Sequence, residues 1–521
     1  MDLTLAPGQR QAYLALAEQY GTPLYVYDGD AIAARYRQLR AGLPPEVEIY
    51  YSLKANPNVS VCALLGREGA GAEVSSLAEL ETARWAGVAA RDTIFLGPGK
   101  SDEELRACVA SRPLAVIVES LQELAALERH AAAARQPLDI LLRVNPAASA
   151  RHRGLSMGGK PRQFGIDEET VLASADTLRA LQWLRPRGLH VFFGTRFLDY
   201  TEIVANTQRV FELVHAYEAA TGLAADIVGI GGGFGVAYYD NETDLDIRAL
   251  LPALSDTVRH FLAGRGATRI ITEQGRYLTA ESGVFLTRVR YAKPSRGQVY
   301  AVVDGGTNHH LSAVGVGNVL KRDFPLVSLA PAGDRATVPV TVAGPLCTPS
   351  DVLARKVPLP DPEPGDLLAV LRSGAYGPSA SPGLFLGHGF PAEVLLRNGD
   401  SHLVRRRDTP RDVLAPQRLA TPFASLPSLP DEASMTRSTI VHTLGAVISR
   451  VTGQETGEVS ERTRVFDDLN LDSISILEVL VALESEFGID VDPDALTAQD
   501  LETLGAVANY VEARLPETQR G

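Results

Sequence analysis

Lys54 closes the run "YYSLKANPN" and is one of only six lysines in a 521-residue chain that holds forty-four arginines. A lysine at a strand exit is either a surface cation or an amine held for Schiff-base chemistry. The run "GIGGGFG", Gly229 to Gly235, bares backbone amides that suit a phosphate, and equally suits a tight turn. It lacks the G-x-G-x-x-G spacing of dinucleotide sites, and the following "AYYD" does not start a helix. "TEQGRYLTAESG" sets Glu273 three residues before Arg276, by itself no more than an ion pair. Taken together, amine, glycine cradle, cation and acid are what pyridoxal 5'-phosphate needs: a covalent anchor, a phosphate site and a partner for the pyridine nitrogen. Far from these, "LNLDSISILEVL" puts Ser473 after Asp472 at the mouth of a helical pattern. There it is either a helix cap, with Ser475 and Glu478 as a capping box, or an attachment point.

The elements that must position these groups change character along the chain. From 23 to 283, near-continuously apolar runs ("EVEIYYSL", "DTIFLG", "PLAVIVES", "LDILLRVNP", "ADIVGIGGG", "TRIITEQG") alternate with helical stretches such as "SSLAELETARWAG" and "SDEELRACVASR". About eight β-then-α units of this kind predict a parallel (β/α)8 barrel, an α/β architecture. Residues 1–22 are expected to join the following domain. From 284 to 415 strands joined by Gly, Pro and Asp turns ("VFLTRVRYAK", "GQVYAVVDGG", "ATVPVTVAG", "DLLAVLRSG", "AEVLLRNG", "SHLVRRRD") predict an all-β barrel or sandwich. Residues 416–435 read as a proline-rich linker. Beyond it, Ile440, Leu444, Val447 and Ile448, then Ile476, Leu480, Leu483 and Phe487, recur at helical spacing and predict a small four-helix bundle over 436–521.

Charge is segregated. The formal net charge is −13, and residues 436–521 carry sixteen acidic side chains against six arginines and no lysine. A chain without a basic stretch is a poor binder of nucleic acid or anionic membrane, and the acidic tail suits docking to proteins. Cys62, Cys108 and Cys347 form no CxxC pair, and no run approaches the length of a membrane span, so the expected compartment is the cytoplasm.

Residues 22–408 resemble the fold-type III pyridoxal-phosphate decarboxylases, the group that includes the diaminopimelate, ornithine and arginine enzymes. The resemblance rests on "GTPLYVYD", "YYSLKANPN", "GAEVSSLAEL", "LLRVNP", "QFGID", "GLHVFFGT", "GIGGGFG", "EQGR", "GPLCTPSD" and "SGAYG" in that order. It implies that Lys54 anchors the cofactor and that Glu273 holds the pyridine nitrogen protonated, which counts against a racemase. It implies that Gly232, Gly233, Arg276, Thr195 and Tyr376 bind the phosphate and that Arg143 lies near the cofactor. Cys347 would protonate the product carbon from the neighbouring subunit of a head-to-tail homodimer, with Thr348 and Asp351 facing substrate.

Two departures from that pattern are informative. The ring-stacking imidazole of the family falls at Phe192, which leaves His190 two residues earlier as a structural residue. Thr348 stands where an acid usually reads a distal amine, which disfavours diamino or basic substrates. Phe192, with "SMGGKPRQFGID", "DGGTNHHL" and "SPGLFLGHGFPAEVLL", resembles the narrower branch acting on aminoacyl groups bound to acyl carrier proteins. His309 and His310 lack a spaced third ligand for a metal.

The tail resembles an acyl or peptidyl carrier domain in which Ser473 takes a 4'-phosphopantetheine arm. The expected reaction is α-decarboxylation of an acidic amino acid held through its side-chain carboxyl, because the α-amine and α-carboxylate must both stay free. Expected partners are a phosphopantetheinyl transferase, an amino-acid-activating ligase or adenylation enzyme, and a downstream synthase or acyltransferase. The alternatives are a decarboxylase of a free amino acid whose carrier takes a later intermediate, and a silent scaffold that only presents the carrier.

Overall fold

The computed structural model describes residues 5, 8–147, 155–156, 161–314, 323–331, 335–418 and 437–452, and, with gaps, 459–514. The chain divides into two compact units, Met1–Pro416 and Gln417–Gly521.

In the first unit eight parallel strands close a barrel in the order Val47–Ser52, Gly71–Val74, Thr93–Phe95, Ala115–Val118, Leu138–Asn145, Leu184–Val191, Ile227–Gly232 and Arg269–Gln274, the last pairing back onto the first. Their burial is continuous rather than alternating; Ala115–Val118 and Gly71–Val74 are buried at every position. That is the signature of strands covered on both faces, inside by barrel side chains and outside by helices. The helices begin where the sequence provides caps. Ser76, Ser101 and Ser120 each accept from the backbone N–H of a glutamate three residues on, and Ser101 with Glu104 completes a capping box.

The second layer is an all-β sheet that includes Gly283–Ser295, Gln298–Val303, Thr337–Ala343, Val352–Pro360, Leu367–Val370, Ala392–Arg397 and Asp400–Arg405. One strand corrects the boundary read at residue 23. Leu24–Asp28 lies in this sheet, antiparallel to Gly283–Ser295 and parallel to Ala392–Arg397. Leu24, Tyr25, Val26 and Tyr27 are all at most 2% exposed, so the run has no alternation by which to tell the two sheets apart. The helix Gln9–Tyr20 buries Tyr13, Leu16 and Ala17 in the same β-domain core. Val352–Pro360 does not read as a strand in the sequence because of Pro358 and Pro360. It runs at the sheet edge, where a missing N–H is tolerated.

In the second unit the helices Arg437–Thr452 and Leu504–Arg514 share a core built from Ile440, Leu444, Val447, Ile448, Leu480, Leu483, Phe487, Val507 and Val511. Between these two helices only scattered helical residues are described, Leu480, Leu483 and Phe487 among them; Ile476 and Ser473 fall outside the described residues, as does most of the 416–435 linker. Among the described residues no helix is long and apolar enough to cross a membrane, and no group of three or more ligating side chains could hold a metal ion.

His309 and His310 are core residues. The His309 ring bonds the Gly389 carbonyl at 3.1 Å, and His310 Nε2 lies 2.8 Å from Ser373 Oγ among Tyr25, Phe285 and Phe324. Burial lowers their pKa values, to about 4 for His309 and about 3 for His310, against 6.5 for the free group. The unfolded chain therefore binds protons that the folded chain refuses, and stability contributed by the neutral rings is full above pH 6.5 and declines as pH falls toward 3–4. His310→Gln should flatten the fall of melting temperature between pH 6.5 and 4 relative to wild type; equal slopes would show that the buried ring does not control it.

Candidate active site

The barrel strands deliver their polar side chains at one rim. Lys54 sits in the single turn Leu53–Ala55 directly after the first strand, Arg143 lies within Leu138–Asn145, His190 lies near the end of Leu184–Val191 with Phe192 just after it, and Glu273 lies near the end of Arg269–Gln274. This is the C-terminal mouth, where side chains face a common space instead of the packed barrel interior. That space is a cavity of about 390 Å³ whose wall includes Lys54, Arg143, Phe192, Thr195, Glu273 and Tyr376. Gly232, Gly233 and Arg276 are not in its wall but adjoin it: Gly232 pairs in register with Glu273, and Arg276 stacks on the Tyr376 ring at 4.4 Å.

Glu273 is almost completely buried and accepts a hydrogen bond from His190 Nε2–H at 2.7 Å. Burial works against its charge, but the His190 imidazole, with Lys54 and Arg143 behind it, holds the carboxyl below its usual range. A carboxylate kept ionised here can hold a proton on a ring nitrogen placed against its second oxygen. His190, expected to be structural, thus sets the orientation of Glu273. Phe192 presents its ring beside Lys54, with Nζ 5.6 Å from the ring centroid, so the flat face offered to a cofactor is apolar.

Lys54 Nζ donates to Glu73 Oε1 at 3.0 Å and to Oε2 at 3.3 Å. Burial alone would lower its pKa, but Glu73, Tyr376 and Glu273 more than offset this and raise it. Arg143 NH1 donates to Glu119 Oε1 at 2.8 Å, and the same carboxylate accepts from the backbone amides of Gly97 and Gly165. Glu119 thereby fixes both the guanidinium and two loops of the cavity mouth.

The glycine side of the site, expected to take a phosphate, has its own construction. A methyl group at Gly232 would collide with the Glu273 carbonyl oxygen, and one at Gly233, with φ +82°, with the carbonyl oxygen of Gly194. Arg276 donates through NH1 to Tyr238 Oη at 3.0 Å and keeps a buried Nε–H without a partner among the described residues. Tyr376 adopts φ +55°, and its backbone N–H bonds the Ala55 carbonyl at 2.6 Å, which ties the β domain to the turn carrying Lys54. An anchoring amine, a buried acid, an apolar ring face and an arginine with an unspent donor fit pyridoxal phosphate.

Cys347 is an exposed free thiol and does not line the cavity of its own chain. Thr348 Oγ1 pairs with Ser350 Oγ at 3.0 Å. Asp351 is 2% exposed; Oδ1 accepts from Thr307 N and Oγ1, and Oδ2 accepts from Leu346 N. Both its oxygens are spent on the loop, so Asp351 shapes the segment that displays Cys347 and Thr348.

Sequence reading passed over Glu73 and Glu119. Glu73 sits in "GAEV", a four-residue strand without another charge, and Glu119 follows the apolar run "AVIV". An acid at such a place is a buried charge requiring a partner, and that was the available signal.

Comparison with known proteins agrees with this geometry. Residues 29–280 match the pyridoxal-binding domain of the pyridoxal-dependent decarboxylases, and residues 442–511 match the phosphopantetheine attachment site. The chain is 41% identical over 407 residues to the L-glutamyl-[BtrI acyl-carrier protein] decarboxylase of Niallia circulans, covering 77% of this chain and 95% of that one. It is 31% identical over 403 residues to the diaminopimelate decarboxylase of Helicobacter pylori strain J99, covering 77% and 96%. The crystal structure of a Helicobacter pylori diaminopimelate decarboxylase complexed with L-lysine superposes with a TM-score of 0.70 at 29% identity, covering 77% of this chain and 98% of that one. With the cavity, its lysine and its acid in place, the chain belongs to the pyridoxal-phosphate-dependent decarboxylases of fold type III, extended by a C-terminal phosphopantetheine-binding carrier domain.

Proposed function

We propose that the protein removes the α-carboxylate of an acidic amino acid, glutamate- or aspartate-like, tethered through its side-chain carboxyl as a thioester to 4'-phosphopantetheine on Ser473. The product is an ω-aminoacyl group on the carrier, a building unit for natural-product biosynthesis. The observation that carries this reading is the presence, in one chain, of the Lys54–Glu273 cavity and a phosphopantetheine attachment domain. The likeness to a relative named for decarboxylating a glutamyl group on an acyl carrier protein supports it.

The cavity's own charges agree with a neutral distal end. Lys100 spends its ammonium on Gly97 O, Ile117 O and Glu123, and Arg143 is paired with Glu119. Glu104 is bonded to Ser101 N and Oγ. Lys100 and Arg143, each paired with a carboxylate, thus offer a distal carboxylate no free cation, and a thioester carbonyl needs none.

Pyridoxal phosphate supplies the electron sink that lets the bond between Cα and the carboxylate break. Lys54 would anchor the cofactor through its amine at the cavity mouth, where the substrate's α-amine must also reach. Glu273, oriented by His190, keeps a proton on the pyridine nitrogen. Gly232, Gly233, Thr195, Arg276 and Tyr376 hold the phosphate, and Phe192 covers the ring while excluding water. After CO2 departs, Cys347 of a second copy gives its Sγ proton to Cα, with Thr348 beside the distal group. This requires a homodimer with shared sites, working in the cytoplasm. A phosphopantetheinyl transferase installs the arm, a ligase or adenylation enzyme loads it, and a synthase or acyltransferase removes the product.

Protein bearing the arm on Ser473 and loaded with glutamate or aspartate should lose the mass of CO2 from the Ser473 peptide, and the Lys54→Ala variant should not. Loss seen only with free amino acids would exclude the tethered substrate. Mixing inactive Lys54→Ala and Cys347→Ala chains should restore about a quarter of wild-type turnover, because half the dimers then carry one intact site of two. No recovery after verified subunit exchange would place the two residues in the same chain's site.

A further inference from the structure

A second carboxylate reaches Lys54, and it comes from a different strand than Glu273. Glu73 lies on Gly71–Val74, in register with Ser52 of the neighbouring strand, and is 1% exposed. One oxygen accepts from the Ser52 hydroxyl, and both lie within 3.3 Å of Lys54 Nζ. A buried carboxylate is strongly unfavourable without a cation, and removing one partner of such a pair leaves an uncompensated charge. Among the described residues Lys54 forms the one ion pair given to Glu73. Glu273 is engaged by His190, and Glu79, on the helix Leu77–Trp85, is bonded to the Ser75 amide; burial, with the charges of both, pushes the Glu73 carboxyl up to about 7, and the charge and hydrogen bond of Lys54 are what oppose that rise. Tyr376 faces the ammonium from the β domain, and the Phe192 ring covers one side.

Resting on the assignment of Lys54 as the cofactor anchor, we propose that Glu73 is the positioning residue that keeps a proton on the Lys54 nitrogen. It does so in the free amine and again after condensation with the cofactor's aldehyde. In that condensation the ammonium gives two of its three protons to the departing carbonyl oxygen, which leaves as water, and the third remains on nitrogen against Glu73. A positive charge held there would favour attack by the substrate's α-amine. Glu273 acts at the opposite end, on the ring nitrogen, so the two carboxylates have separate tasks in one cavity.

The test uses cofactor-free full-length protein, so it does not depend on turnover or on the identity of the substrate. Trace acetylation at pH 9, read by peptide mass spectrometry, measures how much of each lysine is unprotonated, with the exposed Lys293 as internal standard. In Glu73→Gln the Lys54 rate should rise about tenfold or more over wild type, one unit of pKa being a factor of ten, with Lys293 unchanged. Ser52→Ala keeps the charge but removes a hydrogen bond and should change the rate less than about threefold. In cofactor-loaded Glu73→Gln the visible absorbance should titrate at least about one pH unit lower than in wild type. A Lys54 rate in Glu73→Gln within about twofold of wild type, or an equal rise in Ser52→Ala, overturns the proposal. Should Glu73→Gln not fold, Glu73→Asp carries the test: retention of the wild-type rate supports the role of charge, and a tenfold rise overturns it. If labelling responds as stated but no CO2 is lost from the carrier peptide, the role of Glu73 stands and the tethered-substrate reading fails.

Discussion

Closure of the barrel between its first and last strands is the constraint on which the site depends. Pairing of Val47–Ser52 with Arg269–Gln274 sets Tyr50 opposite Glu273 and Tyr51 opposite Gln274, so that the turn after Ser52 delivers Lys54 beside the Glu273 carboxylate. These residues are some 220 positions apart in the chain, and only the parallel register makes them neighbours. On the other side, Ser52 pairs with Glu73. A slip of one residue in either register would turn a carboxylate from the mouth into the barrel wall.

Much of this was legible in the residues themselves. The alternation of apolar runs with helical stretches identified the barrel, because strands covered on both faces are apolar nearly throughout. The same logic failed at Leu24–Asp28, where an apolar run buried on both faces belongs to the other sheet. It failed again at Val352–Pro360, where the sheet edge tolerates prolines. Lys54, Glu273 and Arg276 stood out because they are charges at strand exits. Glu73 and the pairing of His190 with Glu273 did not, because both depend on which strands lie side by side, and a single strand carries no record of its neighbours.

The cavity also shows how one scaffold separates its carboxylates by task. Glu273 is bonded to an imidazole, Glu119 to a guanidinium and two backbone amides, and Glu73 to the Lys54 amine. Each belongs to a different strand and has a different partner; Glu273 lines the cavity, whereas Glu73 and Glu119 reach it through the lining residues Lys54 and Arg143. Asp351 serves a loop in the same way, spending its charge on backbone amides so that Cys347 and Thr348 can remain outside.

Tyr376 has a consequence beyond its place in the cavity wall. Its backbone amide is bonded to Ala55, one residue past Lys54, its ring lies over Arg276, and the Asn56 amide bonds the Gly374 carbonyl from the same loop. The lysine turn, Arg276 and the β domain are therefore parts of one cooperative unit. Cofactor that binds only the assembled state draws the folding equilibria of both domains with it by mass action. Cofactor occupancy and β-domain integrity become a single linked variable, and a lesion in the sheet far from the barrel would first appear as a protein that lets go of its coenzyme.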